Sequence, residues 1–187
     1  ALGAVMSGRS NGLLAFGVSV FALFLVVSVY NQFRMMDAMK ALSAVPITAA
    51  GRLHAGTAWT AAALTLAHIG LCFILVMLIT GLARVQGVPV PVVRMLIAMG
   101  VAHLPLLVWA LYGAVLFSDD FEKEHMDIFA RSVARLILTR PLAYACGIIW
   151  LIALLGWQFK IGPRQAATLA LAPVLTMWAV LSILGWV

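Results

Sequence analysis

The sequence predicts an all-α membrane protein: a polytopic bundle of five transmembrane helices with short interfacial amphipathic helices. Three observations carry that expectation. The chain of 187 residues is 65% hydrophobic and 10% charged, with a mean hydropathy of +1.11, well outside the range of soluble domains. No charged residue falls between Arg52 and Arg84, and none between Arg94 and Asp119, so each stretch exceeds the ~20 apolar residues that cross a bilayer as a helix. The link between the two stretches is short and basic, running from Ala83 through Gly87, Pro89 and Pro91 to Arg94. Together they read as a membrane hairpin.

The formal net charge of +6 comes from twelve Lys and Arg against six acids. In a membrane protein such an excess belongs to basic loops facing anionic headgroups. No basic cluster is interleaved with aromatic residues, which argues against nucleic acid as a partner. The expected partners are the lipid bilayer and other membrane protein subunits or further copies of the chain.

Taken in order, the first span is expected over 12–30. Its apolar run is too long for an ordinary signal-peptide core, so it reads as a retained span, closed by Tyr30, Asn31, Gln32 and Arg34 at the membrane edge. Met35, Met36, Met39 and Leu42 then recur at helical spacing around Asp37 and Lys40, which predicts an interfacial helix over 33–45, ended by Pro46. Span two is expected over 57–83, long enough to tilt or emerge. Span three, over 92–117, holds Pro105 near its middle. Proline there removes a backbone donor and kinks the helix, so the span should lie against neighbours that re-satisfy the freed carbonyl.

The acids Asp119, Asp120, Glu122, Glu124 and Asp127 precede Arg131, Arg135 and Arg140. Phe121, Ile128, Phe129, Val133 and Leu136 recur at helical spacing among them, so 119–139 reads as an amphipathic surface helix, acidic at its start and basic at its end as the helix dipole prefers. Phe121, Ile128, Phe129, Arg131 and Arg135 are its candidate partner-contact residues. Pro141 is expected to begin span four, 141–158, and a tight basic turn from Lys160 to Arg164 leads into span five, 165–187, which contains Pro173. The chain thus forms a single transmembrane domain over 1–187. An odd number of spans puts the termini on opposite sides. Arg9, Arg84, Arg94, Lys160 and Arg164 share one side; Arg34, Lys40, Arg52, Lys123, Arg131, Arg135 and Arg140 share the other, a small excess that favours an outside N-terminus.

This layout resembles bacterial members of the Yip1 family. The resemblance rests on the turn from Ile79 to Gly87, on the proline-centred stretch Val101-Ala-His-Leu-Pro105, and on Ile149-Trp150 followed by Phe159-Lys-Ile-Gly-Pro-Arg-Gln-Ala-Ala167. It covers spans two to five and implies a non-catalytic integral protein of a bacterial cytoplasmic membrane, with its N-terminus in the cytoplasm. The longer soluble N-terminal region and the Asp-Leu-Tyr-Gly-Pro motif of eukaryotic members, which contact small GTPases, are absent here.

Candidate chemistry centres on histidine. His54 and His68 are fourteen residues apart, about 21 Å along one helix, the spacing with which cytochrome b-type proteins hold two haems. Only His103 is available on the next span, because His125 lies in the surface helix. At most one bis-histidine site, His68 with His103, is therefore open to a haem b or to a chlorophyll-type pigment. The alternatives are that each imidazole hydrogen-bonds a neighbouring helix, with His103 near the carbonyls freed by Pro105, or that the pair relays protons. Cys72 and Cys146 fall inside apolar spans without Cys-x-x-Cys spacing and read as small core residues, with no metal site implied. No acid lies within a span, and no nucleophile has a partner at suggestive spacing. The expectation is a non-catalytic interaction or accessory subunit without a cofactor, the haem- or pigment-binding subunit being the alternative and a small permease the third.

Overall fold

A computed structural model describes residues 2–43, 47–116 and 126–183. They form six helices: α1 (Leu2–Ser43), α2 (Ile47–Val85), α3 (Val92–Ala102), α4 (Leu104–Leu116), α5 (Met126–Phe159) and α6 (Pro163–Ile183), with no strand among the described residues. Because α3 and α4 together make one span, five segments are long and apolar enough to cross a membrane: Gly12–Met35, Ala58–Val85, Val92–Leu116, Ala134–Phe159 and Pro163–Ile183. The chain is an all-helical integral membrane protein.

Two boundaries differ from those expected. α1 continues without a break to Ser43, so residues 33–43 prolong the first span where the sequence suggested a separate interfacial helix. No proline or glycine interrupts the chain between Tyr30 and Ser43, and Met, Ala, Lys and Leu all sustain a helix. Likewise, α5 is described from Met126 and runs through Pro141, so the described part of the expected surface helix and the fourth span are one element, while 119–125 lie outside the described residues. Pro141 removes the donor of the Ile137 carbonyl, and the two carbonyls before that one accept additional bonds from side chains. The Thr139 hydroxyl donates to the Arg135 carbonyl at 2.9 Å, and the Trp109 indole N–H of α4 donates to the Leu136 carbonyl at 3.1 Å. Of the candidate partner-contact residues, Ile128, Phe129 and Arg131 lie in the first turns of α5 and Arg135 is exposed, while Phe121 lies outside the described residues.

The hairpin link is built by glycine. At the end of α2 the Gly87 N–H donates to the Arg84 carbonyl at 3.0 Å and the Val88 N–H to the Ala83 carbonyl at 2.9 Å. This pair of bonds is the Schellman closure, which needs a left-handed residue at its centre, and Gly87 has φ +72°. Val88 and Ala83 are both buried, the apolar contact that accompanies the motif. Pro91 then precedes α3 in extended conformation.

The α3–α4 span is the central one. It packs against α1, α2 and α5, while α6 closes the far side against α2 and α5. One apolar cluster joins Val76 and Ile79 of α2, Met95 and Ala98 of α3, Leu155 of α5 and Leu169 of α6. A second joins Val20 and Phe24 of α1 to Leu106, Leu107 and Ala110 of α4. Between them α1 and α3 meet glycine on glycine: a Cβ on Gly100 would lie 2.6 Å from the Gly17 carbonyl carbon. Close backbone approach through small residues is how membrane helices gain packing without a hydrophobic driving force. Lower on the same contact face, Asn31 donates to the Ala110 carbonyl at 2.7 Å.

Candidate metal centre

His68 and Cys72 are four residues apart on α2, so they project from one face a single turn apart. Both lie near the middle of their span. His103 sits at the joint between α3 and α4, two residues before Pro105, which has no N–H to give the Val101 carbonyl. These elements bring three side chains to one point. The two histidine Nε2 atoms are 3.2 Å apart, and Cys72 Sγ is 3.6 Å from each. His103 is buried, and His68 and Cys72 are half-buried.

The helix break also fixes the imidazole of His103. In a regular helix the His103 N–H would donate to the Met99 carbonyl. Here it donates to the Gly100 carbonyl at 3.2 Å instead, and the Met99 carbonyl accepts from His103 Nδ1–H at 2.7 Å. With its proton held on Nδ1, His103 offers the Nε2 lone pair to the cluster. This arrangement, in which the far ring nitrogen donates to a carbonyl, is the usual outer partner of a metal-bound histidine. Phe21 and Phe24 of α1 enclose the pair: the Phe21 ring meets His103 edge-on with centroids 4.8 Å apart, and the Phe24 centroid is 5.3 Å from that of His68.

The three donor atoms have the dimensions of an ion site. For a tetrahedral ion bonded to nitrogen at ~2.0 Å and to sulfur at ~2.3 Å, the donor edges come to ~3.3 Å between nitrogens and ~3.5 Å from nitrogen to sulfur. The observed 3.2, 3.6 and 3.6 Å match those edges. His68, Cys72 and His103 form one group able to hold a metal ion. His68, Cys72 and His103 line a cavity of about 220 Å³, together with Met99, Tyr144 and Met177 among others. Two of those three are thioethers, which are weak, soft donors.

A tetrapyrrole fits the same residues less well. Two imidazoles ligating one iron need roughly twice a metal–nitrogen bond between them, ~4 Å, with the macrocycle lying across the gap. The 3.2 Å separation leaves no such slot, the phenylalanine rings cover one flank, and 220 Å³ is below the ~300–1,000 Å³ of pockets that enclose cofactors of this size. His68 and His103 are thus brought together as the sequence suggested, but around a space suited to a single ion.

Cys72 is the member that sequence reasoning left in the core. Its signal was available as His-x-x-x-Cys, the spacing that places two ligands on one helical face. Cys146, by contrast, is exposed and outside the cluster.

The role of the proline gives a direct test. Pro105→Ala restores a donor to the Val101 carbonyl and lets the His103 N–H return to Met99, where it competes with Nδ1–H for the same carbonyl. We expect metal affinity to fall by ~10–100-fold, the usual cost of losing an outer partner, with helix content unchanged by circular dichroism. Unaltered affinity would show that the break does not orient the ring.

The chain matches no protein-family model, no curated protein and no solved structure.

Proposed function

We propose that this chain is a non-catalytic integral membrane protein that holds one transition-metal ion halfway through the bilayer, between His68, Cys72 and His103. The observation that supports this reading is the convergence of Nε2, Nε2 and Sγ at mutual distances of 3.2 to 3.6 Å. Three protein donors with an open fourth direction are the pattern of a site that exchanges its ion or a fourth ligand, whereas a closed set of four serves structure. Polar groups at this depth are costly unless they do something.

The non-catalytic role fits the spans as well. None contains an acid, so no span supplies the site with a carboxylate general base. Broad lipid-facing surface on α2, with Trp59, Leu66 and Phe73 exposed, suits an accessory subunit or carrier that works among other membrane proteins. The resemblance to bacterial Yip1-family proteins points to the same kind of role.

A second reading has one observation in its favour. At 3.2 Å the two imidazoles are also within hydrogen-bonding distance, so His68 Nε2–H could donate to His103 Nε2 as a purely structural or proton-passing pair. Metal analysis separates the two. Full-length protein in lipid nanodiscs, dialysed against micromolar transition metals and then against buffer, should retain one ion per chain by mass spectrometry. A Cys146→Ser control should retain it too. Retention of no ion under any metal would reduce the triad to the hydrogen-bonded pair.

A further inference from the structure

Charge decides which ion such a site can hold. The three donors lie within hydrocarbon depth, and none of the five spans carries Asp or Glu. Two neutral imidazoles contribute no charge, and a coordinating thiol is deprotonated on binding. The donor set therefore carries a single negative charge. A divalent ion held by these three donors alone would leave one positive charge that only a hydroxide or other anion in the fourth position could offset in a low-dielectric interior, whereas a monovalent ion needs no added anion.

Two further observations point the same way. Arg140, whose guanidinium lies 5.8 Å from the centre of the Tyr144 ring at the cavity's edge, is itself positive, and among the described side chains no acid lies near the site to offset a dication. The cavity that His68, Cys72 and His103 line is also lined by Met99 and Met177. Thioethers bind soft monovalent ions well and hard or borderline divalent ones poorly.

Resting on the metal-site reading above, we infer that the His68, Cys72 and His103 centre is selective for a soft monovalent cation of the cuprous class, held as an electrically neutral complex. Binding breaks the Cys72 S–H bond and forms a metal–sulfur bond. The proton leaves to solvent, the imidazoles give lone pairs without losing protons, and the ion keeps its oxidation state. The opposite arrangement, a Cys72 carrying its proton, would give a cationic complex with any ion.

The test uses silver(I), a soft monovalent ion that does not change oxidation state here, against zinc(II) on the full chain in nanodiscs. Silver(I) should bind one ion per chain, release one proton per ion in weakly buffered medium, and show at least ~100-fold preference over zinc(II), the scale of one uncompensated buried charge. Cuprous ion, delivered from a competing chelator under anaerobic conditions, should behave as silver does. Met177→Glu, which adds a carboxylate at the cavity, should create zinc(II) binding. Equal affinity for silver(I) and zinc(II), or silver binding without proton release, would overturn the inference while leaving the metal site itself in place. Binding of neither ion would remove the site and the inference with it.

Discussion

Replacing His103 with alanine is expected to abolish ion retention, lowering affinity by more than the ~10–100-fold that outer partners command. The reason lies in how the donors are distributed. His68 and Cys72 are adjacent on α2 and hold their relative positions without help, but two donors do not enclose an ion. His103 brings the third from a different helix, across 35 residues of sequence from His68. Its removal also opens a space beside Phe21 and Phe24. Free imidazole at millimolar concentration should enter that space and restore part of the affinity. Equilibrium titration of the variant with silver(I), with and without imidazole, reads both effects. Wild-type affinity in the variant would mean that His103 is not a ligand.

The second large effect is expected at Gly100. A Cβ there would fall 2.6 Å from the carbonyl carbon of Gly17 and 2.9 Å from its Cα. Both are backbone atoms, so no rotamer change relieves the contact and α1 must move away from α3. Gly100→Val should therefore destabilise the fold by ~1–3 kcal/mol or more, the cost of overpacking a close interface. Gly17→Ala is the natural comparison. Its Cβ would meet the Ile97 carbonyl oxygen at 3.1 Å, a contact that a small shift can absorb, so its cost should be smaller. Thermal unfolding in detergent, followed by circular dichroism, ranks the two. Since Phe21 of α1 packs on His103, displacement of α1 should weaken metal binding along with stability. A Gly100→Val protein as stable as wild type would show that the helices are not held together here.

The spans were legible in the sequence because bilayer thickness imposes a length on apolar runs, and charge-free stretches such as Arg52 to Arg84 state that length directly. What occurs at the membrane edge was less so. Amphipathic spacing in 33–45 and 119–139 is equally suited to a helix lying on the surface and to one rising straight out of it, and spacing alone does not separate the two. Pro141 shows the same ambiguity: proline suits a helix start, yet α5 runs through it.

The site was half legible. Two histidines at similar depth in adjacent spans suggested a meeting point, because an intramembrane ionisable group seldom stands alone. Cys72 carried no comparable signal, since cysteine is also a common small core residue. Its role depends on which face of α2 looks at α3, which packing decides. The meeting of Gly17 and Gly100 depends on contacts 83 residues apart and has no local signature.

The ligand set is divided between one unbroken helix and the joint of a broken one. His68 and Cys72 ride together on α2, whereas the position of His103 follows the angle between α3 and α4. Straightening that joint would carry the third donor away from the other two without disturbing either of them. Helix geometry and coordination number are in this way one variable. For the proposed metal site, the residence time of an ion would follow how often that bend opens, and a change that stiffens or relaxes it would alter exchange without touching a ligand.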